Sequence, residues 1–290
     1  MQINRDCSII LNIADLHIHS FFSDGDLSPA DIIEESISKN ISYISITDHD
    51  NLTGHKKANS IIKKSKYSNI KLIPGIELSS SINDSNIHLL AYFFDPENKD
   101  LNSVLKILQL RRSEFAKFAL EKLNEEGVNI SWGDIVKNSK GSIGRLHIAY
   151  ALINLGYARN TNDAFEKHLH KIKSLYNNPY EISADELIEV VRKAGGVCSL
   201  AHPHTVSNFD KSINDLSKNG LVGLEIVEDK KMKNSEEIMS KFGLTKTAGS
   251  DFHRNGKKSY LGKNFLNEEE LLNLYNIAKS ELNGAISWNM

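Results

Sequence analysis

Two histidines one residue apart, His17 and His19, sit in the segment Asp15-Leu16-His17-Ile18-His19. An extended backbone sends successive side chains to opposite faces, so residues two apart point the same way. If the segment is extended, both imidazoles face one side and can grip one cation. Asp24 follows in Ser23-Asp24-Gly25-Asp26, where glycine permits a tight turn that brings a carboxylate back beside the pair. Similar residues recur downstream: His49 in Thr47-Asp48-His49-Asp50, Glu77 after Gly75-Ile76, and His88. They continue with His202 in Ala201-His202-Pro203-His204 and with Asp251 and His253 in Ser250-Asp251-Phe252-His253.

A lone His-x-His pair is more often incidental than a metal site, and a lone histidine beside an apolar run is usually a satisfied core residue. What changes the balance is where the pieces fall. Short apolar runs at 9–13, 41–46, 71–76, 87–94, 197–201, 221–227 and 244–248 read as seven strands. Helices fit between most of them. Ser28-Pro29-Ala30-Asp31 and Ser183-Ala184-Asp185-Glu186 each offer a capping hydroxyl and first-turn acids, and Gly195-Gly196 closes the second helix. Alternating strand and helix predicts an α/β fold with a parallel, barrel-like sheet, whose active site lies at the C-terminal strand ends. Five strand ends carry His, Asp or Glu. Packed together without a counter-charge, such groups would face steep desolvation and mutual repulsion, which cations relieve. Imidazole and carboxylate without thiolate suit zinc, manganese or iron.

From about 98 to 178 the strand signal stops and the pattern turns helical over 101–126, 143–155 and 161–169, which predicts a helical insertion. The chain of 290 residues, 25% charged and with five prolines, has the composition of an ordinary globular protein. A net charge of -2 disfavours binding to long duplex DNA. Two cysteines, Cys7 and Cys198, are too few for a disulfide framework and read as buried small hydrophobes in a reducing compartment. The apolar stretch 7–13 is too short for a membrane span, so the expected location is the cytoplasm. The lysines at 56, 57, 63, 64 and 66 read as a solvated helix face, and His55, His168 and His170 as surface residues.

Taken in order, Asp15-Leu16-His17-Ile18-His19, Thr47-Asp48-His49-Asp50, Gly75-Ile76-Glu77, Ala201-His202-Pro203 and Ser250-Asp251-Phe252-His253 resemble the motifs of the polymerase and histidinol phosphatase (PHP) family of metal-dependent phosphoesterases. The resemblance implies a distorted (β/α)7 barrel formed by 1–97 and 179–290, with 98–178 as a helical, substrate-capping insertion. It also implies three divalent ions, manganese first and zinc or iron as alternatives. One would take His17, His19, Glu77 and Asp251. A second would share Glu77 and add His88 and His202, and a third would use Asp24, His49 and His253. A water held between cations would be the nucleophile, because metal coordination lowers its pKa to roughly 7 at a zinc site. Asp48 and Asp50 are candidates to orient His49.

Within the insertion, Ser142-Ile143-Gly144-Arg145-Leu146-His147 and Asp163-Ala164-Phe165 resemble the PHP subgroup that removes the 3′-phosphate of nucleoside 3′,5′-bisphosphates. Some members also trim short RNA from the 5′ end. The implied partner is a small phosphorylated nucleotide or short RNA. Arg145 matches the subgroup's phosphate-binding arginine, a side chain suited to a bidentate grip, and His147 is a further pocket candidate. Arg111 and Arg112 fit either substrate contact or a solvated face. Two departures stand out: His204-Thr205 replaces the glycine and basic residue usual after the Ala-His-Pro motif, and 171–176 lacks the subgroup's glycine-rich stretch. His204 could protonate the leaving group or simply bond to backbone. Hydrolysis of histidinol phosphate or of a cyclic phosphodiester, and a non-catalytic PHP binding module, are the competing readings.

Overall fold

Most of the Asp15-to-His19 motif lies in the first strand, and His19 is the residue that follows it. In the computed structural model, which describes residues 13–290 except 68, 84, 138, 228–233, 255, 257–258, 286–287 and 289, β1 spans Ile13–Ile18. Ile13, the last residue of the run 9–13, begins this strand; residues 9–12 and Cys7 lie outside the described residues. Both faces of β1 are buried, with Ala14, Leu16 and Ile18 on one side and Asp15 and His17 on the other.

The chain continues through α1 (Pro29–Ser38), β2 (Ile41–Ile46), α2 (Thr53–Ile62), β3 (Lys71–Leu72), β4 (Gly75–Ile82) and β5 (Ser85–Tyr92). A helical stretch follows: α3 (Lys99–Glu125), α4 (Trp132–Val136), α5 (Arg145–Asn154), α6 (Thr161–Ala164) and α7 (His170–Leu175), with a π-turn at Phe165–Leu169 between the last two. Then come α8 (Ala184–Lys193), β6 (Val197–Leu200), α9 (Phe209–Lys218), β7 (Gly223–Glu225), α10 (Ser235–Phe242), β8 (Thr245–Thr247), β9 (Leu266–Asn267) and α11 (Glu268–Glu281). The anticipated caps are present, with Ser28 accepting from the Asp31 amide and Ser183 from the Glu186 amide. Gly195 ends α8 at φ 75°, a conformation glycine adopts without steric cost.

The strands pair into a four-stranded sheet, β3-β2-β1-β9, and a five-stranded sheet, β4-β5-β6-β7-β8. Backbone hydrogen bonds cross both seams between them: Glu77 N to Thr47 O at 3.1 Å and Asp50 N to Glu77 O at 2.9 Å on one side, Leu16 N to Ala248 O at 3.2 Å on the other. Two expectations change. The run 71–76 divides into β3 and the start of β4 around Pro74, which has no N–H to offer a ladder. The strand order is also not uniformly parallel, because β4-β5 and β5-β6 pair antiparallel. Only a short turn joins β4 to β5, and a turn of that length permits no parallel crossover.

Apolar side chains from α8, α9 and the five-stranded sheet form one core, and α1 and α2 pack Ile32, Ile33 and Ala58 against Ile44 and Ile46 of β2 in another. Each such buried Ile or Leu contributes about 1.5–3 kcal/mol relative to exposure. A separate cluster, from Ala116 to Ile172, is built only from the helical stretch. Cys198 is buried as expected, whereas His55 is not at the surface: it is 3% exposed on the inner face of α2. The lysines 56, 57, 63, 64 and 66 are exposed.

Candidate metal centre

Glu77, the third residue of β4, is 1% exposed and is met by five imidazoles. Its Oε1 lies 2.8 Å from both His88 Nδ1 and His202 Nε2, and its Oε2 lies 3.0 Å from His49 Nδ1, 3.2 Å from His19 Nε2 and 3.4 Å from His17 Nε2. The sheet explains part of this. Ser79 is paired with His88 across β4 and β5, so Glu77 and His88 share a face. Asp24 forms a second focus, 3.4 Å from His19 Nδ1, 3.3 Å from His253 Nε2 and 3.6 Å from His49 Nε2. Asp251 Oδ1 lies 3.4 Å from His17 Nε2 and 3.3 Å from His19 Nε2. All nine candidate ligands therefore meet in one place. The imidazoles of His17, in β1, and His19, the residue after it, do face one side, their Nε2 atoms 3.1 Å apart.

Buried carboxylates outside this group hold its loops. Asp15 accepts from the Ser250 and Gly262 amides, each at 2.8 Å, and so ties β1 to the loop carrying Asp251. Asp48 accepts from Ser20 N at 2.7 Å, Ser20 Oγ at 2.6 Å and Ser23 Oγ at 2.7 Å. It thus clips the turn that presents Asp24, and its carboxylate is directed at these serines rather than at the His49 ring. Asp50 pairs with Arg112 and accepts from Ser79 N at 2.8 Å. The close packing leaves no room at Gly25, where a Cβ would fall 2.2 Å from His19 O, or at Gly249, where it would fall 2.2 Å from His17 N. His202 and Asp251 hold φ of 29° and 49°, backbone conformations that cost energy for residues with side chains.

The electrostatics are those of a site short of positive charge. Burial pushes the Glu77 and Asp24 carboxyls up, yet the facing imidazoles outweigh it and hold both well below the usual carboxylate range. Burial likewise opposes protonation of His253, but Asp24 and Asp251 raise it to about 10. His88 goes the other way, to about 4, because burial dominates. Asp24 Oδ1, Glu77 Oε2 and His49 Nδ1 are buried at short range from neighbouring rings and carboxylates but make no hydrogen bond of good geometry. Groups of His19, Asp24, His49 and His253, of His17, His19 and Glu77, and of His49, Glu77 and His88 each place their ligand atoms within 4.8 Å of one another. Buried ligand atoms crowded in this way, in a set of imidazoles and carboxylates without thiolate, fit divalent transition metals.

A cavity of about 490 Å³ opens from this group, lined by Asp24, His49, His88 and His253 together with Arg111, Arg112, Arg145 and Lys173. Arg145 lies over the Phe165 ring, 5.6 Å from its centroid. Lys173 escaped notice in the sequence; its signal was the absence of the glycine-rich stretch where it stands. Burial, with Arg145 and Arg111 nearby, lowers its ammonium to about 8. His147 is not among the lining residues: it is buried, and its Nδ1 accepts from the Gly144 amide at 3.0 Å, capping α5. His204 is exposed and also outside the lining. Glu225, which no motif marked, is 1% exposed and sits 2.7 Å behind His17.

A His and carboxylate cluster fit for divalent metals, on a mixed α/β scaffold, is the kind of site found in metal-dependent hydrolases. Residues 15–195 match the PHP domain family model, and the chain belongs to that family. It is 28% identical over 258 residues to a 5′-3′ exoribonuclease of Haemophilus influenzae, covering 86% of this chain and 93% of that one. It is 27% identical over 256 residues to a 3′,5′-nucleoside bisphosphate phosphatase of Chromobacterium violaceum, covering 84% and 88%. A solved structure from Bifidobacterium adolescentis, of a protein assigned as a metal-dependent phosphoesterase, superposes with a TM-score of 0.80 at 28% identity over 91% of this chain and 96% of that one. The chain is thus an enzyme that hydrolyses phosphate esters. Among the described residues no helix is long and apolar enough to cross a membrane.

Proposed function

We propose that this enzyme removes the 3′-phosphate of nucleoside 3′,5′-bisphosphates and also trims short 5′-phosphorylated RNA. The observation that carries the reading is a single cavity lined both by members of the cation-seeking cluster and by four basic side chains. A substrate with two phosphates matches both sets of groups, and the names of the exoribonuclease and bisphosphatase relatives agree with it.

In this reading three divalent ions, manganese first and zinc or iron as substitutes, are held by His17, His19, Glu77 and Asp251, by Glu77, His88 and His202, and by Asp24, His49 and His253. When bound, such ions lower the pKa of water towards neutrality and neutralise charge on a phosphoryl group as its ester bond breaks. The protein's own groups do the rest. Glu77 and Asp24 remain charged at neutral pH, held so by the surrounding imidazoles. Arg145 grips the phosphate that does not react, with Arg111 beside it, and Arg112 is oriented by its pair with Asp50. His204, in the exposed turn that follows His202, is the proposed proton donor to the departing oxygen. Residues 98–178 form a capping domain whose own core supports it, and the seam hydrogen bonds support a distorted (β/α)7 barrel beneath.

The test is a manganese-supplemented comparison of a nucleoside 3′,5′-bisphosphate, a 5′-phosphorylated trinucleotide, a cyclic sugar phosphate and histidinol phosphate. The bisphosphate should give the highest kcat/KM. Preference for either of the last two would overturn the nucleotide assignment, and binding without turnover of any would favour a non-catalytic module.

A further inference from the structure

Glu225 ends β7 in a run of apolar residues, Leu221 to Ile226, and its carboxylate is almost wholly buried. Both oxygens are used. Oε1 lies 2.7 Å from His17 Nδ1, and Oε2 accepts the His202 backbone N–H at 2.7 Å. These partners arrive from different elements, β1 and the turn after β6, and both belong to the nine-residue cluster.

Each contact has a consequence for the opposite end of its residue. A carboxylate at His17 Nδ1 holds a proton there, so that when the ring is neutral, as a metal ligand must be, its Nε2 carries the lone pair on the side of Glu77 and Asp251. The contact to His202 falls on a backbone held at φ 29° and ψ 61°, a conformation that needs external support. That turn aims His202 Nε2 at Glu77 Oε1. One buried carboxylate therefore sets the ring state of one candidate ligand and the backbone of another, on either side of Glu77.

We propose that Glu225 is a positioning residue of the metal centre, holding His17 and His202 in their ligating arrangement so that the cations flanking Glu77 bind tightly. This rests on the metal-dependent reading above. Glutamine is an informative replacement, because its side chain has one acceptor and one donor while both partners of Glu225 are donors. Its oxygen can accept from the His202 amide, but its NH2 can then meet His17 Nδ1 only if the ring moves its proton to Nε2, the atom that faces Glu77 and Asp251.

The experiment measures manganese affinity of metal-stripped wild-type and E225Q proteins by competition with a fluorescent chelator, alongside thermal unfolding of the stripped forms. E225Q should bind manganese about 10–100-fold more weakly, with kcat recovering at high manganese and KM for substrate little changed. Wild-type affinity in a folded E225Q would overturn the role of Glu225 alone. Failure of the wild type to bind manganese would overturn the metal centre and this assignment with it. Should E225Q not fold, the wild type reports instead: nitrogen NMR of the zinc-loaded protein should show His17 protonated at Nδ1, and a proton on Nε2 would refute the proposal.

Discussion

Arg112 donates its Nε–H to the buried carboxylate of Asp50, joining the loop after β2 to the middle of α3. The pair sets one wall of the cavity against the strand end that presents His49. Burial opposes the charge on Asp50, but Arg112 prevails and holds the carboxyl below its usual range. Asp50→Asn keeps the shape and leaves the guanidinium without its counter-charge. We expect a loss of about 3 kcal/mol, at the low end for a broken buried pair because the Arg112 side chain is 14% exposed. Urea unfolding at pH 7 measures it, and a change below about 0.5 kcal/mol would mean that solvent already screens the pair.

His17→Ala removes the ligand that touches Glu77, Asp251, His19 and Glu225 together. Turnover should fall by at least ~10³-fold, equivalent to about 4 kcal/mol of barrier. Metal content should fall with it. The circular dichroism spectrum should persist, since His17 lies outside the apolar clusters. Retained activity in a metal-depleted variant would contradict the role given to this residue.

For Arg145→Ala, the discriminating quantity is a ratio. Loss of a charge-assisted hydrogen bond of about 1.5–3 kcal/mol corresponds to roughly 10–150-fold weaker binding of a substrate with a second phosphate. A simple monoester such as p-nitrophenyl phosphate should be affected much less. Equal losses on both substrates would remove Arg145 from contact with the second phosphate.

His55 provides a pH prediction away from the metal centre. Burial, helped by Lys56, depresses its imidazole from 6.5 to about 4. The unfolded chain therefore takes up a proton between those values that the folded chain refuses. Stability rises with pH across that window, is complete above about 6.5, and the contribution lost below pH 4 is on the order of 3 kcal/mol. His55→Leu should flatten the pH dependence of the melting temperature between pH 4 and 6.5. An unchanged slope would assign the acid sensitivity to other groups.

The sequence by itself determined the ligand types, their pairing along β1 and the helix starts. Alternation, capping and turn formation are local, and the residues that produce them are neighbours in the chain. His17 and His19 face together because a strand has a period of two. Ser28 and Ser183 cap helices because the hydroxyl and the amide it accepts from are three residues apart. Only the tertiary structure decided that β5 runs antiparallel to β4 and β6, since strand direction depends on which distant segment completes the ladder. Only the fold revealed Glu225, whose apolar strand carries no motif, and the inward setting of His55. It also turned the Asp48 carboxylate towards Ser20 and Ser23. A side chain's charge is local, but its partner is set by the free energy of burying both together, and that partner can lie two hundred residues away.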